Sequence, residues 1–133
     1  MNRSVDEVHV AVPAVPVNVP VVRHAVRGYL SSHGVPEERM GDVLLAVTEA
    51  CTNVVRHAYR DRGEPGKLEI SASIDGDGLS VCIADHGLGF APRVDSPGLG
   101  LGVPLMAALA DDLAIRPSSD DGGTEVVMRF AVS

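Results

Sequence analysis

The sequence predicts an α+β fold, a mixed or antiparallel sheet covered on one face by helices. Three observations carry this. Two helical patterns stand next to each other early in the chain, near residues 20–32 and 36–59. The later strand patterns come as two pairs, each joined by a short polar turn. No strand–helix–strand alternation runs through the chain, so the parallel layout of a dinucleotide fold is not expected.

The elements follow in order. Residues 8–12 alternate in a β-rich composition and form a first strand, ended by Pro13 and Pro16. Asn18 is placed to cap the helix that follows. Pro20 falls near its first turn, where a missing N–H costs little. Val22, Ala25, Val26, Tyr29 and Leu30 form an apolar stripe, and Gly34 ends the helix. Pro36, Glu37 and Glu38 open a second, longer helix, with acidic side chains at the positive end of its dipole. Met40, Leu44, Val47, Ala50, Cys51, Val54 and Ala58 share an arc of roughly 120°, a core-facing stripe. Residues 68–74 and 79–84 are strands joined by Asp75-Gly76-Asp77-Gly78, a hairpin signal. The glycine-rich stretch 85–102 contains two prolines and reads as a long loop, which in a small domain is usually functional. A short helix at 103–110 and strands at 113–116 and 125–132 complete the chain.

Composition narrows the class. A chain of 133 residues makes one domain, with roughly two-thirds of the unfolded surface buried. With two Tyr, two Phe and no Trp, its core must come from Val, Leu, Ile and Ala. The net charge of −7 and the lack of a Lys/Arg cluster argue against a nucleic-acid partner. Cys51 and Cys82 are isolated and are expected to be small buried apolar residues. The opening residues lack the pattern of a secretory leader. The longest near-apolar run, 10–22, is too short for a bilayer and is broken by three prolines. No membrane association is expected, and a cytoplasmic location is.

Glu49, Asn53 and His57 are spaced i, i+4, i+8, so each lies about 40° around from the last. Arg56 and Arg60 fall on the same side, opposite the apolar stripe. This is either the solvated face of an amphipathic helix or one wall of a site. As a wall, it offers an Asn53 carbonyl suited to Mg²⁺ and a Glu49 carboxylate able to take a proton from a hydroxyl or water. Arg56 or His57 can meet phosphate, and the spacing does not choose between them. The downstream glycines favour the wall. Asp85 ends a strand and precedes Gly87 and Gly89, so a ligand can approach the backbone closely while the carboxylate accepts a hydrogen bond. Gly98, Leu99, Gly100, Leu101 and Gly102 run into a helix, whose first amides make an anion site without lysines. Metal ligand, base and cation are the parts of a phosphoryl-transfer site. A P-loop is absent, and the second glycine segment lacks the spacing of a dinucleotide motif.

On these residues the chain resembles the GHKL superfamily of ATPases and kinases, over about residues 8–132. Glu49-x-x-x-Asn53-x-x-x-His57-Ala58 looks like its N box, and Asp85-x-Gly87-x-Gly89 like its G1 box. Gly98-x-Gly100-x-Gly102 looks like its G2 box, and Gly122-Gly123-Thr124 like its last block. Within the superfamily the chain is most similar to the anti-sigma-factor serine/threonine-protein kinases. Thr48-Glu49-Ala50-Cys51-Thr52-Asn53, Ala84-Asp85-His86-Gly87 and Pro104-Leu105-Met106 carry that likeness.

The resemblance implies a Bergerat (histidine-kinase-like ATPase) fold, a two-layer sandwich with ATP held among the helices and a lid at 86–102. It implies that Asn53 binds Mg²⁺, Asp85 reads the adenine amino group and Thr124 assists near the adenine. Glu49 would be the catalytic base for a serine hydroxyl on a partner, and ADP the product. His57 or Arg56 would approach the phosphates. The implied partners are a STAS-type anti-anti-sigma protein, which is phosphorylated, and a sigma factor, which is sequestered; a homodimer is expected. Only residues 90–97 separate the glycine segments, with Arg93 their one cation. A short lid leaves an alternative, a nucleotide-binding switch that holds a partner without significant phosphorylation. The presence of Glu49 favours the kinase.

Overall fold

The structure, a computed structural model, describes residues 6–58, 66–76, 78–86, 102–117 and 123–132. Five strands form one sheet: β1 (Glu7–Pro13), β2 (Lys67–Asp75), β3 (Gly78–Asp85), β4 (Asp112–Pro117) and β5 (Thr124–Phe130). Their spatial order is β1-β2-β3-β5-β4, and each of the four pairings is antiparallel. Of the mixed and antiparallel alternatives, the antiparallel one is therefore realised among the described residues. Three α-helices, α1 (Val19–Ser32), α2 (Glu37–Asn53) and α3 (Gly102–Leu109), accompany the sheet.

Side-chain alternation along the strands creates the two layers. Leu68, Ile70 and Ala72 of β2, Leu79, Val81 and Ile83 of β3, and Val126, Met128 and Phe130 of β5 are buried beneath the helices. Glu69, Ser71, Cys82, Glu125 and Arg129 alternate with them and line the open face. The helices supply the other half of the core. Val22, Val26, Tyr29 and Leu30 of α1 are buried, as is every residue of the predicted second stripe, joined by Val43 and Ala46. Full burial of each Val or Leu contributes about 1.5–3 kcal/mol. Cys51 is buried as expected, and burial pushes its thiol up to about 12. Cys82 is only half-buried, because it lies on the open face.

Several local expectations are corrected. Asn18 holds the N-cap position but its side chain makes no capping bond. Its Nδ2 instead donates to the Pro13 carbonyl at 2.8 Å, tying the entry of α1 to the end of β1. The α-helical winding of the second helix stops at Asn53, and Val54–Ala58 continue as a π-turn. Two adjacent β-branched residues, Val54 and Val55, open that turn, where χ1 crowding weakens α-helical packing. β5 ends at Phe130 because the next N–H, that of Ala131, donates to the Asp111 carboxylate at 2.6 Å. Gly34 adopts a φ of +73°, the left-handed conformation that closes α1.

Arg39 anchors α2. Its Nε donates to the Ala131 carbonyl at 2.7 Å, Nη2 to Asp111 at 2.8 Å and Nη1 to Asp42 at 3.1 Å. The guanidinium also sits over the Phe130 ring, 5.5 Å from its centroid. The first turn of α2 is thus fixed at the end of the sheet where β5 finishes. At the N-terminal side, the Tyr29 hydroxyl accepts the Ile74 N–H at 2.9 Å and donates to the Asp6 carbonyl at 3.0 Å. No helix among the described residues is long and apolar enough to cross a membrane.

Candidate nucleotide site

Among the described residues three polar side chains are buried: Asn53, Asp85 and Thr124, at 5%, 0% and 4% exposure. All three are candidate site residues from the sequence. Of the two readings of its helix edge, solvated face or wall of a site, burial of Asn53 agrees with the wall. Its Nδ2 has no hydrogen-bond partner among the described residues, and neither has the buried Nε2 of His57. Leaving such a group unsatisfied costs about 1–3 kcal/mol, a cost that a bound ligand relieves.

The fold carries these residues toward one end of the molecule. Arg39 holds the start of α2 where β5 ends. Seventeen residues of helix span about 25 Å. That length takes Glu49 and Asn53 away from the Arg39 end, along a helix packed on β3. β3 finishes at Asp85 and β5 begins at Thr124, so these two residues lie at the sheet end opposite Arg39. Asp85 has the parity of Leu79, Val81 and Ile83, which places it on the helix-covered side.

The π-turn bears on Arg56 and His57, between which the sequence does not choose. In a continuous α-helix, eight residues would leave His57 about 80° from Glu49 and seven would leave Arg56 about 20° from it. A π-turn, bonded i→i+5, advances fewer degrees per residue. The accumulated lag brings His57 back toward the azimuth of Glu49 and carries Arg56 away. Burial agrees: Arg56 is exposed, whereas His57 is half-buried with Nε2 covered. The i, i+4, i+8 reading of one regular helix is corrected accordingly.

Gly123 supplies a constraint to which the sequence assigned no role. A Cβ on it would lie 1.9 Å from the Asp85 carbonyl oxygen and 2.9 Å from the His86 Cα. Only a glycine lets β5 begin so close to the end of β3. Its signal was present as the middle of Gly122-Gly123-Thr124, but spacing alone does not tell a close approach from a flexible turn.

The remaining candidates divide cleanly. Glu49 is half-buried on α2, one turn before Asn53, and makes no ion pair among the described residues. Gly102 is the first residue of α3. Gly87, Gly89, Gly98, Leu99, Gly100 and Leu101, with most of the expected lid, lie outside the described residues. No group of three or more His, Cys, Asp or Glu side chains among the described residues is arranged to hold a metal.

A helix-borne amide and a strand-end carboxylate, both buried on one side of an antiparallel sheet, invite comparison with known proteins. The family model of the histidine kinase-like ATPase domain matches residues 12–130. The chain belongs to the histidine kinase-like ATPase family. It is 32% identical to the serine-protein kinase RsbW of Bacillus pumilus (strain SAFR-032), over 98% of this chain and 89% of that one. It is 33% identical to the serine-protein kinase RsbW of Bacillus velezensis (strain DSM 23117 / BGSC 10A6 / LMG 26770 / FZB42), over 90% of this chain and 83% of that one. Among solved structures, the RsbU and RsbW domains of a Mycobacterium tuberculosis protein match with a TM-score of 0.73 and 21% identity, covering 95% of this chain and 32% of that one. At that identity the likeness speaks for the fold alone. The Erythrobacter litoralis EL346 blue-light activated histidine kinase matches with a TM-score of 0.62 and 28% identity, covering 74% of this chain and 32% of that one. This chain spans about a third of each of those longer polypeptides. The α+β two-layer fold and the anti-sigma kinase likeness read from the motifs agree with these relatives.

Proposed function

We propose that this protein is an ATP-dependent protein-serine kinase that also acts as an anti-sigma factor. One observation carries the reading: Asn53, Asp85 and Thr124 are each buried, and Asn53 Nδ2 and His57 Nε2 have no hydrogen-bond partner among the described residues, in a chain of the histidine kinase-like ATPase family. The serine-protein kinases that share nearly the full length of this chain support the reaction class.

The donor set fits a nucleotide with Mg²⁺. Asn53 presents an amide whose oxygen is a hard ligand, and its nitrogen has no hydrogen-bond partner among the described residues. When bound, Mg²⁺ neutralises phosphate charge. Asp85 accepts a hydrogen bond from the adenine amino group, and Thr124 stands beside it. His57, turned inward by the π-turn, donates from Nε2 to phosphate oxygen, and Arg56 is left to solvent or a partner. Glu49 takes the proton of the seryl hydroxyl as that oxygen bonds to the γ-phosphorus. The bond from that phosphorus to the β–γ bridging oxygen breaks, and ADP leaves.

The partners that fit are a STAS-type anti-anti-sigma protein as the phosphorylated substrate and a sigma factor as the sequestered one, met by a homodimer in the cytoplasm. The test is incubation of the purified protein and Mg²⁺ with γ-labelled ATP and STAS-type proteins of the same genome. Label on a partner serine is the expected result. ATP binding with no transfer to any of them would move the protein to the nucleotide-sensing switch.

A further inference from the structure

We propose that Glu69 and His86 form a positioning pair for adenine recognition, fixing the direction of the Asp85 carboxylate from the opposite face of the sheet. The inference rests on the reading of Asp85 as the adenine contact.

Asp85 and His86 are consecutive, so their side chains leave the backbone on opposite faces. Asp85 goes under the helices, and His86 goes over the open face. There Nε2 of His86 donates to Oε1 of Glu69 on the neighbouring strand β2, at 2.5 Å. The second oxygen of Glu69 faces Nε2 of His9 on β1 at 3.4 Å, so one carboxylate links three adjacent strands. The hydrogen bond from His86 is the main cause that holds the Glu69 carboxyl below its ordinary range, with Lys67 and His9 adding to it against burial.

The position of this link matters. The β2–β3 ladder ends with Leu68 paired to Asp85. The His86–Glu69 bond carries the attachment to β2 one residue past that end. On the other flank, Gly123 of the β5 approach packs against the Asp85 carbonyl and the His86 Cα. The peptide between Asp85 and His86 is therefore held from both sides. Without the side-chain bond, the chain leaving β3 is released from β2 on that flank, and only the Leu68–Asp85 pairing at the last rung then sets the Cα–Cβ direction of Asp85. A partly exposed pair adds little to global stability. Its effect should appear in the direction of Asp85 rather than in the fold.

The test uses the full chain and titrates it with ATP and with inosine triphosphate, which lacks the 6-amino group. His86→Ala and Glu69→Ala should each raise the Kd for ATP about fivefold to tenfold while leaving inosine triphosphate unchanged. His86→Gln, which can still donate to Glu69, should restore the preference, and the double alanine variant should be no worse than either single one. Equal weakening of both nucleotides, or an unchanged preference in His86→Ala while Asp85→Asn loses it, would overturn the proposal. If Asp85→Asn itself keeps the preference for ATP, the adenine reading of Asp85 fails first and the proposal falls with it.

Discussion

Gly123 and Asp85 approach so closely that a single methyl group cannot be placed between them: a Cβ on Gly123 would stand 1.9 Å from the Asp85 carbonyl oxygen. The obstacle is backbone, which cannot move aside as a flexible side chain would. Gly123→Ala must therefore push β5 from the end of β3, where Asp85 and Thr124 sit. We expect a loss of about 1–3 kcal/mol in stability and at least a tenfold loss in ATP affinity. Thermal melts and calorimetric titration check both. Wild-type affinity in Gly123→Ala would remove the strand ends from the nucleotide site.

The order of elements and both helix stripes could be read from residue pattern, because they depend on local periodicity. Val22, Val26 and Leu30, or Leu44, Val47 and Cys51, are recognisable at helical spacing and are all buried. The site was less readable where it departs from regularity. Helical spacing alone left Asn53 open between a solvated edge and the wall of a site, because a polar residue on a helix gives no sign of what will cover it. The π-turn at Val54–Ala58 turns His57 rather than Arg56 inward, a choice the spacing left open, and only the Val54-Val55 pair hints at it. The role of Gly123 depends on strands brought together from residues 85 and 123, a contact that no local pattern encodes.

Glu49 separates kinase from switch. It lies one turn before Asn53 and makes no ion pair among the described residues. Glu49→Ala should bind Mg-ATP within about twofold of wild type and phosphorylate a STAS-type partner about 10²–10⁴ times more slowly. Filter binding and single-turnover labelling measure the two effects separately. Loss of ATP binding in this variant would contradict the assignment of Glu49 as the base.

The link between Asp6 and His33 gives the N-terminal edge a pH dependence. His33 Nε2 lies 2.7 Å from the Asp6 carboxylate and Nδ1 lies 2.8 Å from the Tyr29 carbonyl. Both ring nitrogens face acceptors, so the doubly protonated ring fits best. The hydrogen bond to Asp6, then that to Tyr29, raises the His33 pKa above its ordinary value. A raised pKa in the folded state contributes stability that is complete below about pH 6.5 and fades as pH rises through the folded value. The Tm difference between wild type and His33→Gln should be largest near about pH 5.5 and close to zero by about pH 9. A difference that grows with pH would reverse the sign and rule out the imidazolium.

Arg39 tests whether the far end of α2 controls the site. Its guanidinium joins the Ala131 carbonyl, Asp111 and Asp42, and covers the Phe130 ring. The bond to a backbone carbonyl is charge-assisted, and the guanidinium is about three-quarters covered, with a side-chain exposure of 24%. Arg39→Ala should lose about 1.5–3 kcal/mol, seen as a Tm lower by roughly 5–10 °C. Arg39→Lys keeps the charge but not the fork of donors, and should recover less than half of that loss. Asp111→Ala removes the same anchor from the other side, because Asp111 also accepts the Ala131 N–H at 2.6 Å. The two alanine substitutions should therefore fall short of additivity. Since α2 carries Glu49 and Asn53, ATP affinity should weaken in Arg39→Ala even though no contact to the nucleotide is lost. Unchanged affinity in a clearly destabilised Arg39→Ala would show that packing of α2 on β3 alone sets the position of Asn53.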